Sequence, residues 1–226
     1  MRLGATTKAI WSRSRTSDPD PKKIQRSVVP PKKNIALTGF MAVGKSVVGR
    51  RLARRLERRF VDLDHAIEAT EGMKIHEIFN RKGEVYFRKV EKRKLREILC
   101  QGGQVIATGG GAITDEENLR LLKKRSWLIC LTAFPEVLLQ RSGTGRERPL
   151  LEGDDRERRI KGLLARREKS YAQAHVTIDT SCLSVDEVVA RIIEALKQIT
   201  APSPSSSPSR ERNRRKFSSP FGRGQG

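Results

Sequence analysis

The segment GFMAVGKS at residues 39–46 matches the phosphate-binding loop pattern G-x-x-x-x-G-K-[ST]. The apolar run at residues 34–38 predicts a short buried strand before it, and residues 45–59 predict a helix after it. Strand, glycine loop and helix in that order are the structural context that such a loop requires. A glycine-containing turn that matches by coincidence would not explain the spacing, the Lys-Ser pair and both flanking elements together. The sequence therefore predicts a protein that binds a nucleoside triphosphate.

Two residues of this loop have expected roles in binding phosphate. Glycines let the backbone turn tightly, so that successive N–H groups and the positive end of the following helix point toward one anion. Lys45 is expected to reach the β- and γ-phosphates, and the Ser46 hydroxyl is expected to bind Mg²⁺. The loop itself does not identify the group that receives the phosphate.

More than half of the net positive charge lies in two terminal segments. Of the net charge of +21, residues 1–33 carry +7 and residues 201–226 carry +5, which leaves +9 on residues 34–200. Both ends are basic and rich in Pro or Ser, and they cannot bury enough apolar surface to fold, so disordered tails are predicted. Residues 34–200 are long enough for one core and are predicted to form a single domain.

The charge of the domain has two readings. The arginines of residues 50–59 lie opposite the apolar face of their predicted helix, which favours a solvated surface, and the remaining charge suits a polyanionic substrate such as ATP. The tails could support weak, salt-sensitive association with nucleic acid. They carry few aromatic residues and no recognisable binding module, so no specific nucleic-acid partner is expected.

Cysteine usage and hydropathy bear on the cellular compartment. Cys100, Cys130 and Cys182 are odd in number and lack metal-ligand spacing, which favours free thiols in a reducing compartment. No apolar run approaches the roughly 18 residues of a membrane span. The basic N-terminus superficially resembles a transit peptide, but Asp18, Asp20 and several prolines favour a disordered extension or a misassigned start. A cytoplasmic protein without membrane contact is expected.

Two carboxylates mark the end of the second predicted strand, FVDLD at residues 60–64. In an extended segment Asp62 and Asp64 would point to the same side, just beyond the strand end where open α/β sheets bind ligands. The alternative for Asp64 is a helix N-cap before His65, an interpretation that leaves Asp62 unexplained.

Gly83 separates two predicted helices, at residues 73–80 and 84–100. Arg88 lies on the second of these helices, one turn from Glu84 and from Glu91. A helix-surface ion pair is therefore the alternative to a binding role for this arginine.

The third predicted strand, at residues 104–108, leads directly into Gly109, Gly110 and Gly111. Three glycines there bury nothing and cost backbone entropy, so we expect no packing role for them. Close approach of the backbone to a ligand is the expected reason for their presence.

The rest of the chain alternates helices and strands, which predicts a three-layer α/β fold with a parallel sheet and right-handed crossovers. The glycine- and arginine-rich loop at residues 142–154 is predicted to be a lid that closes over phosphates. The remaining predicted helices are 115–124, 135–141, 155–174 and 185–199, and the remaining strands are 127–132 and 175–179.

In this order and spacing, the segments resemble the shikimate kinase family over residues 34–199. The resemblance implies a nucleoside-monophosphate-kinase-like fold with five parallel strands in the order 2-3-1-4-5, and a monomer is expected. It also implies transfer of the ATP γ-phosphate to the 3-hydroxyl of shikimate, on the route to chorismate and the aromatic amino acids. The segments that carry it are GFMAVGKS at 39–46, FVDLD at 60–64, IE at 67–68, EIF at 77–79, GEVYFRKVE at 83–91, TGGG at 108–111, RPLL at 148–151, and Arg167 followed by Tyr171.

The resemblance also implies residue roles. Asp64 would accept hydrogen bonds from ring hydroxyls and orient or deprotonate the attacking one, while Arg88 and Arg167 would clamp a carboxylate with their planar forks. The implied catalytic residues are Lys45, Asp64 and Arg148. The implied nucleotide-binding residues are Ala42, Val43, Gly44, Lys45, Ser46, Val47, Arg141 and Arg148. The implied acceptor-binding residues are Asp64, Arg88, Gly109, Gly110, Gly111 and Arg167, and the implied Mg²⁺ ligands are Ser46 and Asp62, the latter through a bound water.

One departure from the family pattern affects the nucleotide side. Where some members carry a basic residue beside the adenine, this chain has SCLS at residues 181–184. Contacts to the base there would be backbone or apolar, which leaves nucleotide selectivity open. A gluconate-type kinase of the same fold and a nucleotide-dependent nucleic-acid-binding protein are the alternative functions.

Overall fold

Five parallel strands form one sheet in the computed structural model, which describes residues 33–142 and 155–201. Their order is β2-β3-β1-β4-β5, so the strand that leads into the phosphate-binding loop lies at the centre. The predicted fold class and strand order are confirmed. The strands are β1 (Asn34–Gly39), β2 (Arg59–Asp62), β3 (Gln104–Ala107), β4 (Ser126–Thr132) and β5 (Val176–Asp179).

Helices connect the strands and end within a few residues of their predicted boundaries. The long third helix contains Gly83 in a non-helical conformation, with φ 78° and ψ 169°, so the two helices predicted there are present as two segments joined at a kink. The helices are α1 (Lys45–Arg55), α2 (Leu63–Glu71), α3 (Ile75–Cys100), α4 (Glu116–Arg125), α5 (Pro135–Arg141), α6 (Arg156–Tyr171) and α7 (Val185–Thr200), with a 3₁₀ turn at Ala112–Thr114.

Two apolar cores cover the two faces of the sheet. Ile35 and Leu37 of β1 face one core and Ala36 faces the other, because successive side chains of a strand point to opposite sides. Helices α1 and α7 contribute Leu52 and Ile192 to the first core, while α2 and α3 pack on the opposite face. With helices packed on both faces of the sheet, the fold has the predicted three layers.

The second strand ends earlier than its sequence suggests. Asp62 is the last residue of β2 and the N-cap of α2, and its Oδ1 accepts hydrogen bonds from the backbone N–H groups of Asp64 and His65 at 3.1 and 3.5 Å. Asp64 therefore lies in the first helical turn. The prediction of one extended segment with both carboxylates on one side was wrong, and the capping residue is Asp62, not Asp64.

Several predictions from sequence concern residues outside this description. The predicted lid at residues 142–154, except Ser142, and nearly all of both terminal segments lie outside the described residues; Arg148 is among the lid residues that are not described. Cys100, Cys130 and Cys182 are described, and all three are free thiols as predicted. None of the helices in the two described ranges has the length and apolar composition of a bilayer span.

We expect His175 to make the fold sensitive to acid. The imidazole Nδ1 of His175 accepts a hydrogen bond from the backbone N–H of Leu128 at 2.9 Å. The backbone N–H of His175 donates to the Leu128 carbonyl at 2.8 Å, which extends the β4–β5 pairing. Burial, aided by the charge of Lys33, lowers the pKa of His175 below its ordinary 6.5. The folded chain thus binds this proton more weakly than the unfolded chain, so stability falls as pH drops from about 6.5 through the lower folded value.

Thermal unfolding across that pH window tests this expectation. His175→Gln replaces the titrating Nδ1 acceptor by an amide oxygen that does not titrate. As the pH is lowered from about 7.5 to 5.5, the Tm of the variant should fall less than that of the parent. A Tm difference between the two proteins that stays constant over this range would contradict the prediction.

Candidate active site

The phosphate-binding loop connects β1 to α1 in a conformation that its glycines permit. Gly39 has φ 130°, and a Cβ on it would lie 2.1 Å from the Leu131 carbonyl oxygen, so no larger residue fits. Gly44 is the left-handed N-cap of α1. The Lys45 ammonium group donates to the carbonyl oxygens of Gly39 and Phe40 at 3.0 and 2.9 Å. These contacts hold the Lys45 ammonium group at the mouth of the loop, beside the positive end of α1.

Ser46 and Asp62 bring two oxygens together beside this loop. The Ser46 hydroxyl donates to Asp62 Oδ2 at 2.6 Å, while Asp62 Oδ1 caps α2. Mg²⁺ prefers hard oxygen ligands and is usually bound by one or two protein groups together with substrate phosphates and waters. A serine hydroxyl next to a carboxylate, at the start of a phosphate-binding helix, fits that requirement.

Two carboxylates approach the first glycine after β3. A Cβ on Gly109 would lie 2.8 Å from Glu91 Oε1 and 3.0 Å from Asp64 Oδ1. The two carboxylate oxygens therefore lie within about 6 Å of each other, since both lie close to one point, and only glycine leaves room for both. These contacts correct the prediction that the glycines have no packing role.

Two guanidinium groups approach the next two glycines. A Cβ on Gly111 would lie 2.8 Å from Arg88 Nη2, and a Cβ on Gly110 would lie 3.3 Å from Arg167 Nη1. Residues from α2, α3 and α6 thus meet along three consecutive backbone positions. The structure brings together all of the acceptor-binding residues that the resemblance implied.

Arg88 makes the helix-surface ion pairs that were the predicted alternative to a binding role. Its guanidinium contacts Glu91 Oε2 at 2.8 Å and Glu84 Oε1 at 3.0 Å. The Glu91 side chain is only 2% exposed, and burial raises the pKa of this carboxyl while Arg88 opposes the shift. The pairing holds Arg88 against Gly111, so the ion pairs position the guanidinium that a substrate carboxylate would meet.

Arg167 is buried, with 6% of its surface exposed, and lies over the Phe40 ring with its Cζ 5.7 Å from the ring centroid. The Tyr171 hydroxyl, one turn further along α6, donates to the Gly110 carbonyl at 2.8 Å. Burial raises the pKa of Tyr171 to about 12, so the hydroxyl stays protonated as a donor. Phe40 belongs to the phosphate-binding loop, so this cation–π contact connects Arg167 and the glycines with that loop.

Asp64 lies near Gly109 and within electrostatic reach of Lys45 in the phosphate-binding loop. Burial raises the pKa of its carboxyl above the ordinary 3.8, and the charge of Lys45 opposes that rise. A carboxylate with raised pKa, within electrostatic reach of the loop lysine, is suited to accept a proton from a hydroxyl.

On the predicted nucleotide side, the Arg141 guanidinium donates to the Thr180 hydroxyl at 3.1 Å and to its carbonyl at 3.0 Å, next to the SCLS segment. In the loop, Ala42 has φ 63°. The Val43 side chain is buried in the core, whereas Val47 is 55% exposed in the first turn of α1. Val43 therefore has only backbone atoms to offer a phosphate.

Sequence reasoning left Glu91 and Tyr171 out of the predicted site residues. Both fall within segments that carried the resemblance, and the three-residue spacing from Arg88 to Glu91 suggested an ion pair. Their proximity to the glycines depends on the packing of α3 and α6 against the loop after β3, for which no local pattern gives a signal.

The fold and site define a class of enzyme: a phosphate-binding-loop kinase that acts on a small molecule. The comparisons with known proteins agree. The sequence model of the family described as shikimate kinase matches residues 41–197. The curated shikimate kinase of Pelotomaculum thermopropionicum is 45% identical over 166 residues, which cover 74% of this chain and 96% of the relative.

Solved structures give the same result. The structure of shikimate kinase from Acinetobacter baumannii in complex with shikimate has a TM-score of 0.74 at 36% identity and covers 81% of this chain and 100% of that one. The Aquifex aeolicus shikimate kinase structure has a TM-score of 0.66 at 38% identity, covering 74% and 97%. The chain belongs to the shikimate kinase family and is an ATP-dependent kinase. The predicted family and activity are confirmed, and neither alternative function is favoured.

The contact between Gly111 and Arg88 gives a direct test of the site geometry. Gly111→Ala would place a methyl group 2.8 Å from Arg88 Nη2, so the guanidinium at the end of this side chain must move. Misplacement of a clamping group by about 1 Å should raise the KM for the acceptor by about tenfold or more.

Gly162→Ala is the matched control, because a Cβ on that α6 residue would meet nothing within 4 Å. Steady-state kinetics of both variants should show the effect only at position 111. Equal KM values for the two variants would contradict the proposed contact between Arg88 and the acceptor.

Proposed function

We propose that the chain transfers the γ-phosphate of ATP to the 3-hydroxyl of shikimate, giving shikimate 3-phosphate and ADP. The observation that carries this proposal is the convergence of Asp64, Arg88 and Arg167 on the Gly109–Gly111 backbone, beside the phosphate-binding loop. This arrangement offers a carboxylate for ring hydroxyls and two guanidinium groups for one carboxylate. Shikimate carries both kinds of group on one ring.

The acceptor is held by charge-assisted hydrogen bonds. Arg88 and Arg167 bind the shikimate carboxylate, and Gly110 offers its backbone N–H. Asp64 accepts a hydrogen bond from the attacking hydroxyl, orients it toward the γ-phosphorus and takes its proton as the new P–O bond forms. The raised pKa of Asp64 supports this role.

The phosphates are held by the loop. The backbone of Ala42, Val43 and Gly44 and the Lys45 ammonium bind the β- and γ-phosphate oxygens, and the bond between the γ-phosphorus and the bridging oxygen breaks as ADP leaves. Ser46 and Asp62 would hold Mg²⁺, Asp62 through a water. When bound, the ion supplies positive charge to the phosphates.

Further parts of the proposal concern the nucleotide base, the lid and the assembly. Arg141, fixed by Thr180, lies beside the adenine, with Val47 nearby, and Arg148 of the lid neutralises the transferring group. A monomer without a nucleic-acid partner suffices, since every group named here comes from one chain. Residues 34–200 form the kinase domain, with tails on both sides.

The arginine roles predict a separation of kinetic constants. Arg88→Lys and Arg167→Lys should raise the KM for shikimate strongly and the KM for ATP little, because lysine cannot reproduce the bidentate fork. Loss of one charged hydrogen bond costs about 1.5–3 kcal/mol, or roughly 10- to 150-fold.

Arg141→Lys serves as the opposite control, with the larger change expected in the KM for ATP. All variants can be measured by coupled ADP release with each substrate varied in turn. Normal shikimate affinity in both the Arg88 and Arg167 variants would limit Arg88 to pairing with Glu84 and Glu91 and would contradict the proposed acceptor.

A further inference from the structure

A polar cluster spans the kink in α3, away from the groups assigned to catalysis. We call it the kink clamp; its members are Glu71, Lys82, Tyr86 and Arg93. Glu71 Oε2 accepts hydrogen bonds from Lys82 Nζ at 3.0 Å and from the Tyr86 hydroxyl at 2.7 Å. Glu71 Oε1 lies 3.6 Å from an Arg93 guanidinium nitrogen, and the Glu71 side chain is only 7% exposed.

The members of the kink clamp lie on both sides of Gly83. Lys82 ends the first segment of α3, whereas Tyr86 and Arg93 belong to the second. The Lys82 ammonium also contacts the Tyr86 hydroxyl at 3.2 Å and lies 4.5 Å from its ring centroid. One carboxylate at the end of α2 is therefore bonded to both segments at once.

Gly83 itself does little to fix the angle between the segments. A Cβ at its position would meet nothing within 4 Å, so no contact on that side of the backbone fixes the angle. On the buried side the rings of Phe79 and Phe87 stack across the kink with centroids 4.7 Å apart. The kink clamp forms a second connection across the kink, and it depends on charge.

The second segment of α3 carries Arg88 and Glu91 on the face opposite to Tyr86 and Arg93. Tyr86 and Arg93 are seven residues apart and share one face of the helix, while Arg88 follows Tyr86 by two residues and points to the other side. Glu91 projects near Arg88. A change of tilt or rotation at Gly83 would therefore move Arg88 and Glu91 relative to the glycines.

We propose that the kink clamp positions Arg88 and Glu91 for acceptor binding, so that Glu71 and Tyr86 set the affinity for shikimate without touching it. This inference rests on the acceptor site proposed above. The members are positioning residues, and their removal should affect acceptor binding more than nucleotide binding.

Glu71→Gln and Tyr86→Phe in the full chain test the proposal. Glu71→Gln removes the carboxylate charge and one acceptor oxygen, and Tyr86→Phe removes the hydroxyl that donates to Glu71; both changes conserve side-chain size. The KM for shikimate should rise by about three- to tenfold, the range expected for residues that act on a site without contacting its ligand. The KM for ATP should change little. A purely structural role would lower Tm and leave the KM for shikimate unchanged.

Glu97→Gln is the matched control. Glu97 pairs with Lys94 at 2.6 Å on the same helical segment, but this pair does not cross the kink. Its KM values should match those of the parent. Equal changes in the Glu71 and Glu97 variants, or equal changes in the two KM values, would overturn the proposal.

Hydrogen–deuterium exchange separates this proposal from the proposed function. Amides of residues 84–91 should exchange faster in Glu71→Gln than in the parent or in Glu97→Gln, whatever the acceptor is. Failure of the parent to phosphorylate shikimate would overturn the proposed function. Unchanged exchange in Glu71→Gln, or faster exchange with an unchanged KM for shikimate, would overturn the role of the kink clamp.

Discussion

Four charged side chains lie against three consecutive glycines, and the proposed acceptor site depends on this close approach. A Cβ on Gly109 or Gly111 would stand within 3.0 Å of a carboxylate or guanidinium atom, and one on Gly110 would stand 3.3 Å from Arg167. The glycines follow β3, which lies next to the strand that leads into the phosphate-binding loop. The parallel sheet thus brings the proposed acceptor-binding residues and the phosphate-binding loop to the same edge.

Burial of these charges explains why the structural and binding roles of Arg88 are compatible. Removing one partner of a buried ion pair costs about 3–5 kcal/mol, so the nearly inaccessible Glu91 needs Arg88. Among the described residues, Glu91 Oε1 has no hydrogen-bond partner, although it lies close to Gly109. The pair holds a guanidinium in place, and the remaining donors of Arg88, which is 31% exposed, can meet a substrate.

Much of the fold could be predicted because the phosphate-binding loop determines its neighbours. A strand must precede it and a helix must follow, and alternation of the later elements implied a parallel sheet. The strand was predicted to continue to Asp64 because the capping residue Asp62 has extended backbone geometry, so the sequence FVDLD is compatible with either boundary. Glu71 and Tyr86 gave no signal, since their pairing depends on how α2 packs against α3. The glycine contacts were likewise a property of tertiary packing.

The proposed acceptor site should select a hydroxylated ring that carries a carboxylate. Coupled ADP release with shikimate, quinate and gluconate, compared side by side at equal concentration, tests it most directly. We expect a higher kcat/KM with shikimate than with gluconate, because the positions of Asp64, Arg88 and Arg167 are fixed relative to the loop and a flexible chain must lose more entropy to match them. Turnover of gluconate as efficient as that of shikimate would contradict the account.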